Sequence, residues 1–145
     1  DKLYIYDNFA ILKSHISTFD FLSNSVGNRT EAHAPEFSAS GGFEYKMGSG
    51  IYINVDHSVM FDFYHEDQYE SKTDPYQILN TTIGWKNDKI QLNLWAKNLL
   101  DVKYEVRGYN FALEPSPNEP PHFFSNTYIS YGDPRHFGLS ASYNF

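Results

Sequence analysis

The sequence predicts an all-β fold: an antiparallel up-and-down transmembrane β-barrel segment of about six strands. Three observations lead there. Apolar and polar residues alternate with period two through successive segments, as they do where side chains point to opposite faces of a strand. The connections alternate between short and long. The last segment carries aromatics at both ends of its apolar face, Phe137 and Phe145, while residues 138–144 of the other face are Gly138, Ser140, Ser142 and Asn144. That is the arrangement of a strand with one side toward lipid and one toward a wet lumen.

The first segment, "KLYIYDNFAILKSHISTF", is strand-like, but either parity leaves Asp7 or Asn8 on the apolar side, so its faces stay open. In "EFSASGGFEYK", Phe37, Ala39, Gly41, Phe43 and Tyr45 share one face. In "IYINVDHSVMFDFY", Ile51, Ile53, Val55, His57, Val59, Phe61 and Phe63 do so. "YQILNTTIGW" sets Leu79, Thr81, Ile83 and Trp85 against Ile78, Asn80, Thr82 and Gly84. "KIQLNLWAK" sets Ile90, Leu92, Leu94 and Ala96 against Gln91, Asn93, Trp95 and Lys97. The closing run from Arg135 to Phe145 is within the roughly 9–11 residues that a tilted strand needs to cross a bilayer. Glu44, Lys46, Asp56, Asp62 and Lys97 are expected on the lumenal side.

"MGSG" (47–50) is a tight turn with glycines where positive φ is needed, and "KND" (86–88) is equally short. Residues 21–35, 65–75 and 112–134 form long connections. In an up-and-down barrel, successive turns fall at opposite ends, so all the short turns share one end and all the long loops the other. Bacterial outer-membrane barrels have that asymmetry.

Bulk properties agree and narrow the function. The 145 residues are enough for one domain and are read as one unit, 1–145. The net charge of −7 argues against a nucleic-acid partner. There is no cysteine, hence no disulfide framework or thiolate metal site. Mean hydropathy is −0.53, which a barrel tolerates because its apolar residues occupy alternate positions. The first residues lack the basic start and apolar core of a leader.

Three stretches then resemble the C-terminal end of TonB-dependent outer-membrane receptors. "GNRTEAHAPEFSASGGFEY" is similar to that family's Asn-Arg and Ala-Pro-Glu ahead of a strand. "NLWAKNLLDVKYE" resembles its Asn-Leu-x-Asp-x-x-Tyr motif, with Asn98, Leu99, Leu100, Asp101 and Tyr104. "YGDPRHFGLSASYNF" resembles its closing strand. The resemblance implies a Gram-negative outer-membrane transporter with a 22-stranded barrel and an N-terminal plug, importing a siderophore, cobalamin or carbohydrate. This chain would be roughly the last quarter, with the plug and the TonB-contacting segment preceding Asp1. Six strands alone would leave open edges in lipid, where unpaired backbone groups cost several kcal/mol each. The partners implied are the plug and upstream strands, the TonB system indirectly, outer-membrane lipid, and the barrel-assembly machinery, which reads Tyr143 and Phe145. The family pattern has a glycine where this chain has Ser140; the glycine here is Gly138.

The best ligand-binding candidate is the proline- and aromatic-rich stretch 107–128: Arg107, Tyr109, Phe111, His122, Phe123, Phe124 and Tyr128. Prolines lower the ordering cost of a loop, and exposed aromatics make contact area cheaply. The plainer reading packs these rings against neighbouring loops. A loop with His65, Glu66, Asp67 and Glu70, in "YHEDQYE", offers ligands for a hard cation, against the simpler reading of a solvated acidic loop. No metal and no cofactor is expected. No nucleophile with an adjacent base and no phosphate-cradling glycine loop occurs, so the chain is not read as an enzyme. Asp101 and Arg135, both at strand ends beside a bend, are read as structural. Two alternatives remain: a soluble β-sandwich binding module, and a small outer-membrane barrel complete in itself, which would need at least two more strands.

Overall fold

Six alternating segments become six neighbours in one antiparallel sheet. The computed structural model describes residues 2–21, 24–111 and 126–145. The strands are β1 (Leu3–Ile11), β2 (Phe19–Phe21), β3 (Asn24–Val26), β4 (Phe37–Gly48), β5 (Ile51–Met60), β6 (Tyr76–Lys86), β7 (Ile90–Lys97), β8 (Glu105–Phe111), β9 (Asn126–Tyr131) and β10 (His136–Tyr143). The large sheet runs β1-β4-β5-β6-β7-β10, while β2-β3 and β8-β9 form separate two-stranded sheets within the long connections. Among the described residues there is no helix.

The register shows why parity matters. Leu3 faces Tyr45, Tyr45 faces Ile53, Ile53 faces Ile83, Ile83 faces Leu94 and Leu94 faces Leu139. Directly opposed residues of an antiparallel pair share a face. One apolar row therefore crosses all six strands. The next row runs Ile5, Phe43, Val55, Thr81, Ala96 and Phe137. Apart from the small Ala96, these side chains have no layer over them: Ile5 is 64% exposed, Phe137 62% and Leu139 82%. Among the described residues only Ala34, Phe63 and Ala96 are buried apolar groups. A sandwich would bury this row between two sheets. Here the row is uncovered, and transfer of each such side chain out of water is worth about 1.5–3 kcal/mol.

The register also settles β1. Its odd residues lie in the outward rows, so Asp7 points outward beside Gly41, and His57 follows across β4 with Nε2 4.0 Å from the Asp7 carboxylate. Tyr4, Tyr6 and Asn8 point inward. The inner face is polar and braced across strands. Tyr6 donates to Asp56, and Tyr52 donates to Asn93 (2.7 Å) while accepting from Gln91 (2.7 Å). The Trp95 ring lies over Gly138, in the space a Cβ there would need.

Both short turns are built as expected. Ser49 and Gly50 have φ of 51° and 80°, the positive values that a two-residue type I′ turn requires. In the second turn, Asn87 Oδ1 accepts from the Lys89 and Ile90 amides at 2.9 and 2.8 Å. Three readings need correction. β5 ends at Met60, so Phe63 leaves the outward face and is buried in the loops. Asp62 is not a sheet residue; it pairs with Lys72. The third long connection spans 98–135, and part of it is the β8–β9 hairpin rather than irregular loop.

Candidate functional site

All three long connections leave the same end of the sheet, and 61–75 joins its neighbours. Its backbone folds on itself: Thr73 N donates to Phe63 O (2.9 Å) and His65 N to Ser71 O (3.0 Å). Arg29, from the Asn-Arg pair of the first connection, inserts into this fold with its side chain 7% exposed. Its Nη2 donates to the carbonyls of Glu66, Asp67 and Tyr69 at 3.1, 3.0 and 2.7 Å. Its guanidinium lies 3.7 Å from the centroid of Tyr64, and Nε is 3.3 Å from Glu70. Asp67 accepts from the Ala32 amide (2.8 Å). Asp62 hydrogen-bonds Lys72 and holds that ammonium above its usual range.

The residues of "YHEDQYE" therefore face protein partners. His65 Nδ1 is 2.8 Å from Ser71 Oγ, and Nε2 is 3.3 Å from Glu105. Glu66 Oε2 accepts from the Asn110 amide and side chain at 2.8 and 2.9 Å. Asp67 and Glu70 are engaged with Ala32 and Arg29.

On the hairpin, parity again divides the faces. Gly108 and Asn110 turn toward 61–75, with Gly108 against the His65 ring. Arg107 and Tyr109 take the other face. The Arg107 guanidinium lies 5.2 Å from the Tyr109 centroid, and Tyr109 is 41% exposed. Tyr128 stands directly opposite Tyr109 in the ladder, and Phe111 ends β8 opposite Asn126. Thus Arg107, Tyr109 and Tyr128 come together on the hairpin. His122, Phe123 and Phe124 lie outside the described residues.

Asn98 and Asp101 fasten the hairpin's base. Asn98 is buried, with φ of 47°, a region that asparagine tolerates better than most residues. Its Nδ2 donates to Val102 O (2.8 Å) and Asp133 O (3.0 Å), and its Oδ1 accepts from Val102 N (2.9 Å). Asp101 accepts from the Arg135 amide (3.0 Å), and the two side chains approach at 3.5 Å. The motif thus closes a turn and seats the start of β10. Arg29 and Tyr64 went unnoticed as a unit in the sequence. The Asn-Arg pair was a visible signal, but the carbonyls that Arg29 bonds lie 37 to 40 residues away.

No family model matches the sequence. Among solved structures, the siderophore receptor PiuA from Acinetobacter baumannii matches 97% of this chain with a TM-score of 0.73 at 14% identity. The ferric-catecholate import receptor Fiu from K12 E. coli, in a closed form, matches 99% with a TM-score of 0.64, also at 14% identity. The segment has the fold of those receptor barrels. It spans 19% of the length of each receptor chain. The unclosed sheet, with β1 and β10 each paired on one side only, is an arc of such a barrel. Within the receptor frame, the short turns sit at one rim. The Arg29–Tyr64 cluster and the β8–β9 hairpin sit at the other.

Proposed function

We propose that residues 1–145 are the C-terminal barrel segment of a TonB-dependent receptor in a Gram-negative outer membrane. The receptor imports a ferric siderophore, and the segment is not an enzyme. The observation that carries this reading is the exposed apolar row from Leu3 to Leu139 on a single-layer sheet. The likeness in fold to two iron-chelate receptors supports it. In this reading a plug and the upstream strands belong to the same receptor, and TonB supplies energy through the plug. The aromatics Tyr143 and Phe145 mark the last strand for the barrel-assembly machinery.

The ligand side is the rim bearing the hairpin. Arg107 supplies a cation, and Tyr109, Phe111 and Tyr128, with His122, Phe123 and Phe124, supply aromatic contact. That chemistry suits an anionic aromatic chelate such as a ferric catecholate. The test is uptake of radiolabelled ferric catecholate by iron-starved cells that carry or lack the full receptor. Receptor-dependent accumulation that needs TonB is expected. Equal uptake with and without the receptor, for catecholate and hydroxamate chelates alike, contradicts the reading.

A further inference from the structure

We propose that His65 and Glu66 are positioning residues: they latch the β8–β9 hairpin to connection 61–75 and so set where Arg107 and Tyr109 stand over the barrel mouth. The inference rests on the hairpin being ligand-facing, as proposed above. Its geometric part stands without that reading.

The latch has two contacts of different kinds. The first is steric. The His65 side chain is 1% exposed, edge-on to Phe63 and held by Ser71. A Cβ at residue 108 would stand 2.5 Å from its ring, so only glycine lets β8 lie this close. Its Nε2 faces Glu105, at the other end of β8 from Asn110. The second contact is polar. One Glu66 oxygen takes both the amide and the side-chain donor of Asn110. Asn110 in turn accepts from Thr127 of β9, so the hold reaches both strands of the hairpin.

The latch is anchored on its far side. The carbonyl of Glu66 is one of the three that accept from Arg29. A single stretch of backbone therefore fixes the first connection by its carbonyls and the third by its side chains. A two-stranded hairpin is at best marginally stable alone. Its orientation must come from such contacts, and binding free energy is saved when a contact surface is ordered beforehand.

The experiment uses the full-length receptor with Glu66→Ala, Glu66→Gln and Gly108→Ala, each checked for a folded barrel by heat-modifiable gel migration. Amide exchange over 105–111 and 126–131 is measured first, without ligand. Exchange about tenfold faster is expected in Glu66→Ala and Gly108→Ala. Glu66→Gln stays within about twofold of wild type, because its amide oxygen can accept both Asn110 bonds. Ferric catecholate binding to the same membranes is then measured. An affinity about tenfold weaker is expected for the two loosened variants, with uptake at saturating chelate unchanged. Unchanged exchange in both loosened variants overturns the latch. Faster exchange with wild-type affinity overturns the positioning role. A wild-type receptor that binds no chelate sinks the uptake reading, and the exchange result then decides the latch by itself.

Discussion

Leu94 on β7 is 52% exposed, whereas Arg29 beyond the sheet's end is 7% exposed along its side chain. In water that distribution would be inverted. In the proposed outer-membrane receptor the solvent on that side of the sheet is hydrocarbon, and its stability comes from ladder hydrogen bonds and lipid contact. The loop cluster faces water and buries polar groups, His65, Thr73 and Asn98 among them, each tied to a backbone or side-chain partner. The sheet repeats one rule along every strand, whereas each loop contact is made only once.

Substitutions should separate the two regimes. The largest effect is expected on the lipid face. Leu94→Arg removes a lipid-buried leucine, worth about 1.5–3 kcal/mol, and adds a cation costing about 2–4 kcal/mol near the midplane, so a loss of about 5 kcal/mol is expected. Asn93→Arg, one residue away on the inner face, should cost less than about 1 kcal/mol beyond the loss of its bond to Tyr52. Urea unfolding of the receptor refolded in detergent or lipid reads both. Equal losses at the two positions would break the distinction between faces.

Next comes Asn98→Ala. Three backbone groups lose a partner, and a residue less suited to positive φ takes the site, so about 3 kcal/mol should be lost. Asn98→Gly relieves the φ but not the bonds and should recover only part. Arg29→Lys is smaller, about 1–2 kcal/mol. A single ammonium cannot reproduce the planar donor group under three carbonyls and over Tyr64. Its mark should be faster amide exchange at 64–72 with the barrel strands unchanged. Lys72→Ala should be smallest. The Lys72–Asp62 pair is substantially exposed, and such pairs contribute about 0–1 kcal/mol. Loss of the whole barrel on Arg29→Lys would show that the cluster and the sheet are one cooperative unit.

The same contrast explains what could be read beforehand. Period two is a local signal, so the faces of the five sheet strands from β4 to β10 and both short turns were legible from residues such as Leu94, Gly50 and Asn87. β1 was not, because Asp7 breaks the alternation. Only its pairing with Gly41, and the approach to His57, places it outward. The loop site was legible in composition alone. Arg107, Tyr109 and Tyr128 could be singled out as an aromatic, cationic stretch, yet the hairpin that gathers them was not foreseen. Its latch is made by Glu66 and Asn110, 44 residues apart, and no local pattern carries that separation. Alternation continues past Met60, so the sequence alone puts Phe63 with the outward-facing residues. The strand ends at Met60 because Thr73 N donates to the Phe63 carbonyl and Phe63 N donates to the Thr73 hydroxyl instead.

The most direct test of the central claim is a nitroxide scan along β7, residues 90 to 97, in the full receptor reconstituted in lipid. Collision with oxygen reports hydrocarbon, and collision with a water-soluble nickel complex reports the lumen. Positions 90, 92, 94 and 96 should favour oxygen, and positions 91, 93, 95 and 97 should favour nickel or neither. The absence of a two-residue period, or access of nickel to both sets alike, would contradict a sheet with one face in lipid.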